Sequence, residues 1–130
     1  MLDQLQKHHI GIVVDTFQVD SLEQQLNVAF HWDKIQGVNV AFHWNPFLNL
    51  YEEYFTREGR AKNYKLGFHH VCYTVESSIQ MKKIEEYLKK FNLGYRLTFP
   101  EKSGSPECEV VTFYYIHYVG IVEFNIKSSI

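Results

Sequence analysis

Residues 8–15 read His8-His9-Ile10-Gly11-Ile12-Val13-Val14-Asp15, and residues 69–76 read His69-His70-Val71-Cys72-Tyr73-Thr74-Val75-Glu76. Each is a short run rich in β-branched residues that opens on a histidine pair and closes on an acid, the composition of a strand. An offset of 61 residues in a chain of 130 is what a duplicated module of half the length produces.

The flanks of the two runs agree with a duplication. Ser21-Leu22-Glu23-Gln24 follows the first run with capping-box spacing, and Leu26 continues an apolar face. Ser77-Ser78-Ile79-Gln80 follows the second with the same spacing. Met81, Ile84, Leu88 and Phe91 then fall on one helical face and Lys82, Lys83, Glu85, Glu86, Lys89 and Lys90 on the other. Gly94 is placed to end that helix. Strand-like segments follow each helix, at about 30–35, 38–44 and 47–54 and then at about 95–99, 108–116 and 119–126. Both halves therefore read βαβββ: module one over about 6–56, a linker over about 57–65, and module two over about 66–127 of a single domain. Pro100-Glu101-Lys102-Ser103-Gly104-Ser105-Pro106 is the clearest loop, a candidate rim or lid.

Composition bounds the function. Hydrophobic residues make up 45% and charged residues 22%, enough apolar material for a core without disulfides or a structural metal. The net charge of −2 argues against a phosphate-tracking face, so no nucleic acid is expected. No window approaches the roughly 18 consecutive apolar residues of a membrane span. MLDQLQKHH has no apolar stretch of signal-peptide length, and Cys72 and Cys108 form no CxxC pair. Reduced thiols and a cytoplasmic location are the expectation.

Strand alternation selects among the seven histidines. Ile10, Ile12 and Val14 share one face, leaving His9 with Gly11 and Val13 on the other. Val71, Tyr73 and Val75 likewise leave His70 with Cys72 and Thr74. The apolar faces are expected to pack on the helices, so His9 and His70 take equivalent places on the concave side. On the last strand Val122, Phe124 and Ile126 make the apolar face, and Glu123 lies opposite. A carboxylate inside Val119-Gly120-Ile121-Val122-Glu123-Phe124-Asn125-Ile126 is costly to bury unless a cation or hydrogen bonds compensate it. Two imidazoles and a carboxylate form an N/O set for one divalent ion, whether Zn, Mn, Fe, Co or Ni. His43 alternates with Asn39 and Ala41 and is a candidate proton-transfer group. Trp32, Trp44 and Tyr51 are candidates to line a substrate pocket. His8 and His69 are expected at the rim, and His31 and His117 carry no pattern.

The stretches HHIGIVV, FHHVCYTVE and GIVEF together resemble the vicinal oxygen chelate superfamily, which includes glyoxalase I, methylmalonyl-CoA epimerase, fosfomycin-resistance proteins and extradiol dioxygenases. The resemblance implies an α+β fold of two βαβββ modules forming a cupped, mostly antiparallel sheet around a central cavity. It implies metal ligands on the first and last strands of each module: His9, His70 and Glu123 by position. The fourth place, commonly Glu or Gln, falls on Asn49 when Asn45-Pro46-Phe47-Leu48-Asn49-Leu50-Tyr51-Glu52-Glu53-Tyr54 is aligned on that strand. A shift of a few residues offers Glu52 or Glu53 instead.

The implied activity is that of a metal-dependent isomerase or lyase, of glyoxalase or methylmalonyl-CoA epimerase type, that stabilises the enolate of a small carbonyl or acyl-CoA substrate. Glu123 would be both ligand and base. A bleomycin-resistance-like protein that binds a small molecule without catalysis is one alternative, and an Fe(II) dioxygenase is another. A homodimer is expected.

Overall fold

The computed structural model describes residues 2–103 and 108–127. The chain divides into two compact units: residues 9–69 form one, and the chain on either side of them forms the other. Secondary structure is mixed α and β; the first unit has a βαβββ order, and the second has the same order with one additional two-residue strand.

In the first unit β1 (Gln6–Val14) leads to α1 (Val19–Leu26), β2 (His31–Asp33), β3 (Val38–Asn45) and β4 (Leu50–Thr56). The strand order is β2-β3-β4-β1, with β1 and β4 parallel and the other neighbours antiparallel. The helical segment starts earlier than Ser21. A 3-10 turn over Thr16–Gln18 follows Asp15, whose backbone N–H donates to the Gln18 side chain at 2.9 Å, and Ser21 lies inside α1. Asn27, at φ 54°, ends the helix in the left-handed conformation that asparagine tolerates.

The apolar packing of this unit differs from the sequence expectation. Eight-residue α1 buries no residue, and Ile10 and Ile12 are only half-buried. The core is Val13, Val38, Val40, Phe55 and Ala61, with Phe42 against it. Alternation puts Val13 on the His9 face of β1, so the buried side of this sheet is the one that carries His9.

In the second unit β5 (Gly67–Val75) leads to α2 (Ser78–Lys90), β6 (Gly94–Arg96), a two-residue β7 (Glu101–Lys102), β8 (Val110–Ile116) and β9 (Gly120–Ile126). The order is β5-β9-β8-β6, with β5 and β9 parallel and β7 pairing β8. Ser77 caps α2 by accepting from the Gln80 N–H at 3.1 Å. Met81, Ile84 and Leu88 of α2 are buried against Tyr73, Val75, Tyr114, Val122 and Phe124. Each such large apolar side chain contributes about 1.5–3 kcal/mol. Phe91 is instead 54% exposed. Gly94 opens β6 rather than stopping the helix. A Cβ there would stand 2.2 Å from the Tyr115 carbonyl oxygen, so the close approach of β6 to β8 requires glycine. Of the loop over 100–106, Glu101 and Lys102 pair as a strand, and residues 104–106 lie outside the described residues.

Candidate functional site

Each unit holds one buried histidine facing one carboxylate. In the first, His9 Nε2 stands 3.6 Å from Glu53 Oε1. In the second, His70 Nε2 stands 3.1 Å from Glu123 Oε1. His9 is fully buried, and His70 and Glu123 are 3% and 6% exposed.

The two pairs are built the same way. In the parallel pairing of β1 with β4, Glu53 lies opposite Gly11, two residues beyond His9. In the parallel pairing of β5 with β9, Glu123 lies opposite Cys72, two residues beyond His70. The next strand outward repeats the scheme. Phe42 of β3 is the register partner of Glu53, and Phe113 of β8 is the partner of Glu123. Each phenyl ring meets its histidine edge to face, with centroids 5.5 Å apart at 87° for His9–Phe42 and 5.4 Å at 86° for His70–Phe113. The histidine echo in the sequence is thus one corner of a repeated His–Glu–Phe arrangement.

Asn49 is not beside His9. It sits in the turn between β3 and β4 at φ 56°, exposed to solvent. Asn45 Oδ1 accepts from the N–H groups of Phe47 and Leu48, both at 3.0 Å, and this Asx turn delays β4 to Leu50. The strand therefore starts three residues later than its apolar pattern suggests, and the residue set against His9 is Glu53.

His43 occupies the opposite face of β3 from Phe42, and its register partner is Glu52. Its Nδ1 lies 2.9 Å from Glu52 Oε1, which also accepts from the Tyr54 hydroxyl at 3.0 Å, while Asn45 Nδ2 donates to Oε2 at 3.3 Å. Burial pushes the Glu52 carboxyl up, but the hydrogen bonds from His43, Asn45 and Tyr54 outweigh it and hold Glu52 below the ordinary glutamate value. Burial and the neighbouring Glu52 push the Tyr54 phenol up to about 12. This polar cluster lies on the opposite face of the sheet from the His9–Glu53 pair, so the candidate proton-transfer residue His43 does not share the face of the candidate ligands.

Among the other candidates, His69 stacks on Tyr64 with centroids 4.4 Å apart, and His117 is exposed beside Tyr115. Trp32 and Trp44 are 56% and 45% exposed. Cys72 and Cys108 are buried and not in a disulfide.

The donor chemistry fits a divalent ion. Two donors each about 2.1 Å from a shared ion stand roughly 3 to 3.5 Å apart at octahedral to tetrahedral angles, close to the His–Glu separations of 3.6 and 3.1 Å.

The chain, in two β-α-β units with parallel first and last strands, has a fold shared with solved structures of known proteins. The solved structures it is similar to include methylmalonyl-CoA epimerase in complex with methylmalonyl-CoA and NH4+, at TM-score 0.64 and 16% identity over 94% of both chains. Methylmalonyl-CoA epimerase from Mycobacterium tuberculosis aligns at TM-score 0.62 and 12% identity, over 93% of this chain and 87% of its own. The 2,3-dioxygenase LapB from Pseudomonas sp. KL28 aligns at TM-score 0.61 and 11% identity, over 93% of this chain and 40% of its own. No family model matches the chain. No curated protein sequence matches it. Among the described residues no helix is long and apolar enough to cross a membrane.

Proposed function

We propose that the chain is a metal-dependent isomerase or lyase in which His9, Glu53, His70 and Glu123 hold one divalent ion. The observation that carries this is the repeat of one His–Glu–Phe arrangement in both units, with the same register and the same ring geometry. Glu53 supplies the acid that the resemblance puts on the last strand of module one, completing a set of two histidines and two carboxylates. Such a set neutralises a divalent cation, whereas a non-haem iron oxygenase uses two histidines and one carboxylate. The two glutamates therefore favour isomerase or lyase chemistry over the dioxygenase and over metal-free small-molecule binding.

A bound divalent ion would act as a Lewis acid on the oxygens of a carbonyl substrate and lower the cost of an enolate. The chain's own part is to orient and to move a proton. Phe42 and Phe113 hold the imidazoles edge-on, so that each Nε2 faces the neighbouring carboxylate. Burial of His9, His70 and Glu123 keeps water away and strengthens every charge interaction at the site. Glu123 is the residue that takes the proton from the carbon beside the carbonyl, on its carboxylate oxygen. A small carbonyl or acyl-CoA compound is the substrate class, the chain acts as a homodimer, and the cytoplasm is the place of action.

Solvent exchange tests the reaction class. Protein loaded with a divalent metal and given an acyl-CoA or α-hydroxy ketone in deuterium oxide should place deuterium at the α-carbon, and Glu123→Gln should abolish this. Oxygen consumption by iron-loaded protein without α-exchange would replace the reading with the dioxygenase.

A further inference from the structure

The repeat breaks at one rung. Beyond Glu53 in the first unit, Phe55 of β4 is the register partner of Val13 on one side and of Val40 on the other, and all three belong to the apolar core. The same rung of the second unit, beyond Glu123, sets Asn125 of β9 between Thr74 of β5 and Val111 of β8. Thr74 and Asn125 thus stand where the first unit has Val13 and Phe55. By alternation they share the face of His70 and Glu123.

Burial makes this exchange costly. Asn125 is 2% exposed and Thr74 7%, and a buried polar group is ordinarily hydrogen-bonded. The Asn125 side chain makes one such bond: the Glu109 N–H donates to its Oδ1 at 2.9 Å. A backbone N–H only donates, so the amide oxygen is fixed toward Glu109 and the NH2 group is left to donate elsewhere. Among the described residues Nδ2 donates to no protein group, and Thr74 Oγ1 makes no hydrogen bond. An anchored amide with a spare donor, beside a spare hydroxyl, is a pair held for a ligand rather than for the core.

We infer that Asn125 and Thr74 bind an uncharged oxygen of the substrate, a hydroxyl or carbonyl group separate from the oxygens that chelate the ion. This rests on the reading of His70 and Glu123 as metal ligands. A hydroxyl can accept from Nδ2 while donating to Oγ1, and a carbonyl oxygen can accept from both side chains. A carboxylate fits poorly. No cationic side chain stands on this rung, and the next residue outward from Val111 is the acidic Glu101 of β7. The rung lies two residues along β9 from Glu123, roughly 7 Å, so the oxygen it recognises is carried on another carbon of the substrate.

Two α-keto acids that differ only at the tip separate the effects: 4-hydroxy-2-oxobutanoate carries a hydroxyl where 2-oxopentanoate carries a methyl group. Calorimetric titration of cobalt(II)-loaded protein should give at least roughly tenfold tighter binding of the hydroxy acid. Thr74→Val and Asn125→Asp should each remove most of that preference. The aspartate keeps the acceptor for the Glu109 N–H and loses only the donor. Because Thr74 Oγ1 bonds nothing in the fold, Thr74→Val should leave the urea unfolding midpoint unchanged or higher. Equal affinity for the two acids in the unaltered protein would overturn the inference, as would a preference that survives either substitution. A clear fall in the Thr74→Val midpoint would assign the hydroxyl to the fold and would also overturn it. Cobalt's visible absorption, read before either acid is added, shows separately whether the metal reading holds. Its absence would sink that reading and the inference with it.

Discussion

Glu53 stands to His9 as Glu123 stands to His70: each carboxylate lies opposite the residue two beyond its histidine, on a parallel neighbouring strand. On the proposed reading this relationship puts Glu53 in the ligand set, with Asn49 in the β3–β4 turn and Glu52 on the opposite face of β4. Glu53→Ala should therefore weaken zinc or cobalt binding by roughly a hundredfold or more. Asn49→Ala and Glu52→Gln should leave it within about twofold. Competition titration against a chelating dye measures all three.

His43 lies across the sheet from the pair, bound to Glu52. His43→Ala should leave metal affinity and the rate of α-deuterium exchange within about twofold, because His43 lies on the opposite face of the sheet from Glu53. A loss of more than tenfold in exchange rate at unchanged metal affinity would restore a catalytic role.

Leu88 is 1% exposed in the core under α2, while Phe91, one turn on, is 54% exposed. Leu88→Ala should cost roughly 2–5 kcal/mol. Phe91→Ala should cost no more than about 0.5 kcal/mol, as expected of an exposed site. Urea unfolding followed by circular dichroism distinguishes them.

The Tyr114 hydroxyl donates to Glu85 of α2, and burial followed by that carboxylate pushes its pKa above the ordinary 10.0. The folded state thus favours the protonated phenol. The associated stability is fully present below pH 10 and is lost as pH rises beyond the ordinary tyrosine value. Tyr114→Phe should lower stability by about 1 kcal/mol at neutral pH and flatten its fall between about pH 9.5 and 11. Unfolding midpoints at both ends of that window check the sign.

Much of this was legible in the residues. The β-branched runs around His9 and His70 and the 3.6-period face of Met81, Ile84 and Leu88 state their elements directly, through strand-forming composition in the first two and one buried helical face in the third. Glu53 was harder to see. Glu52 and Glu53 are adjacent acids on opposite faces, and only the start of β4 tells them apart. That start depends on an Asx turn at Asn45 and a left-handed Asn49, local hydrogen bonding that hydrophobic period does not encode. The burial of the His9 face by Val13, Val38, Val40 and Phe55 was also hidden, since it follows from a first helix too short to cover the other side. Phe42 and Phe113 left no mark in the sequence beyond their spacing from the acids, and only strand register joins them to the histidines.

Metal stoichiometry tests the central claim most directly. Protein freed of metal and titrated with zinc or cobalt should bind one ion per chain, and His9→Ala and His70→Ala should each abolish that single high-affinity event. Two independent ions per chain, or one ion retained undiminished after either substitution, would contradict the assignment of His9, Glu53, His70 and Glu123 to one site.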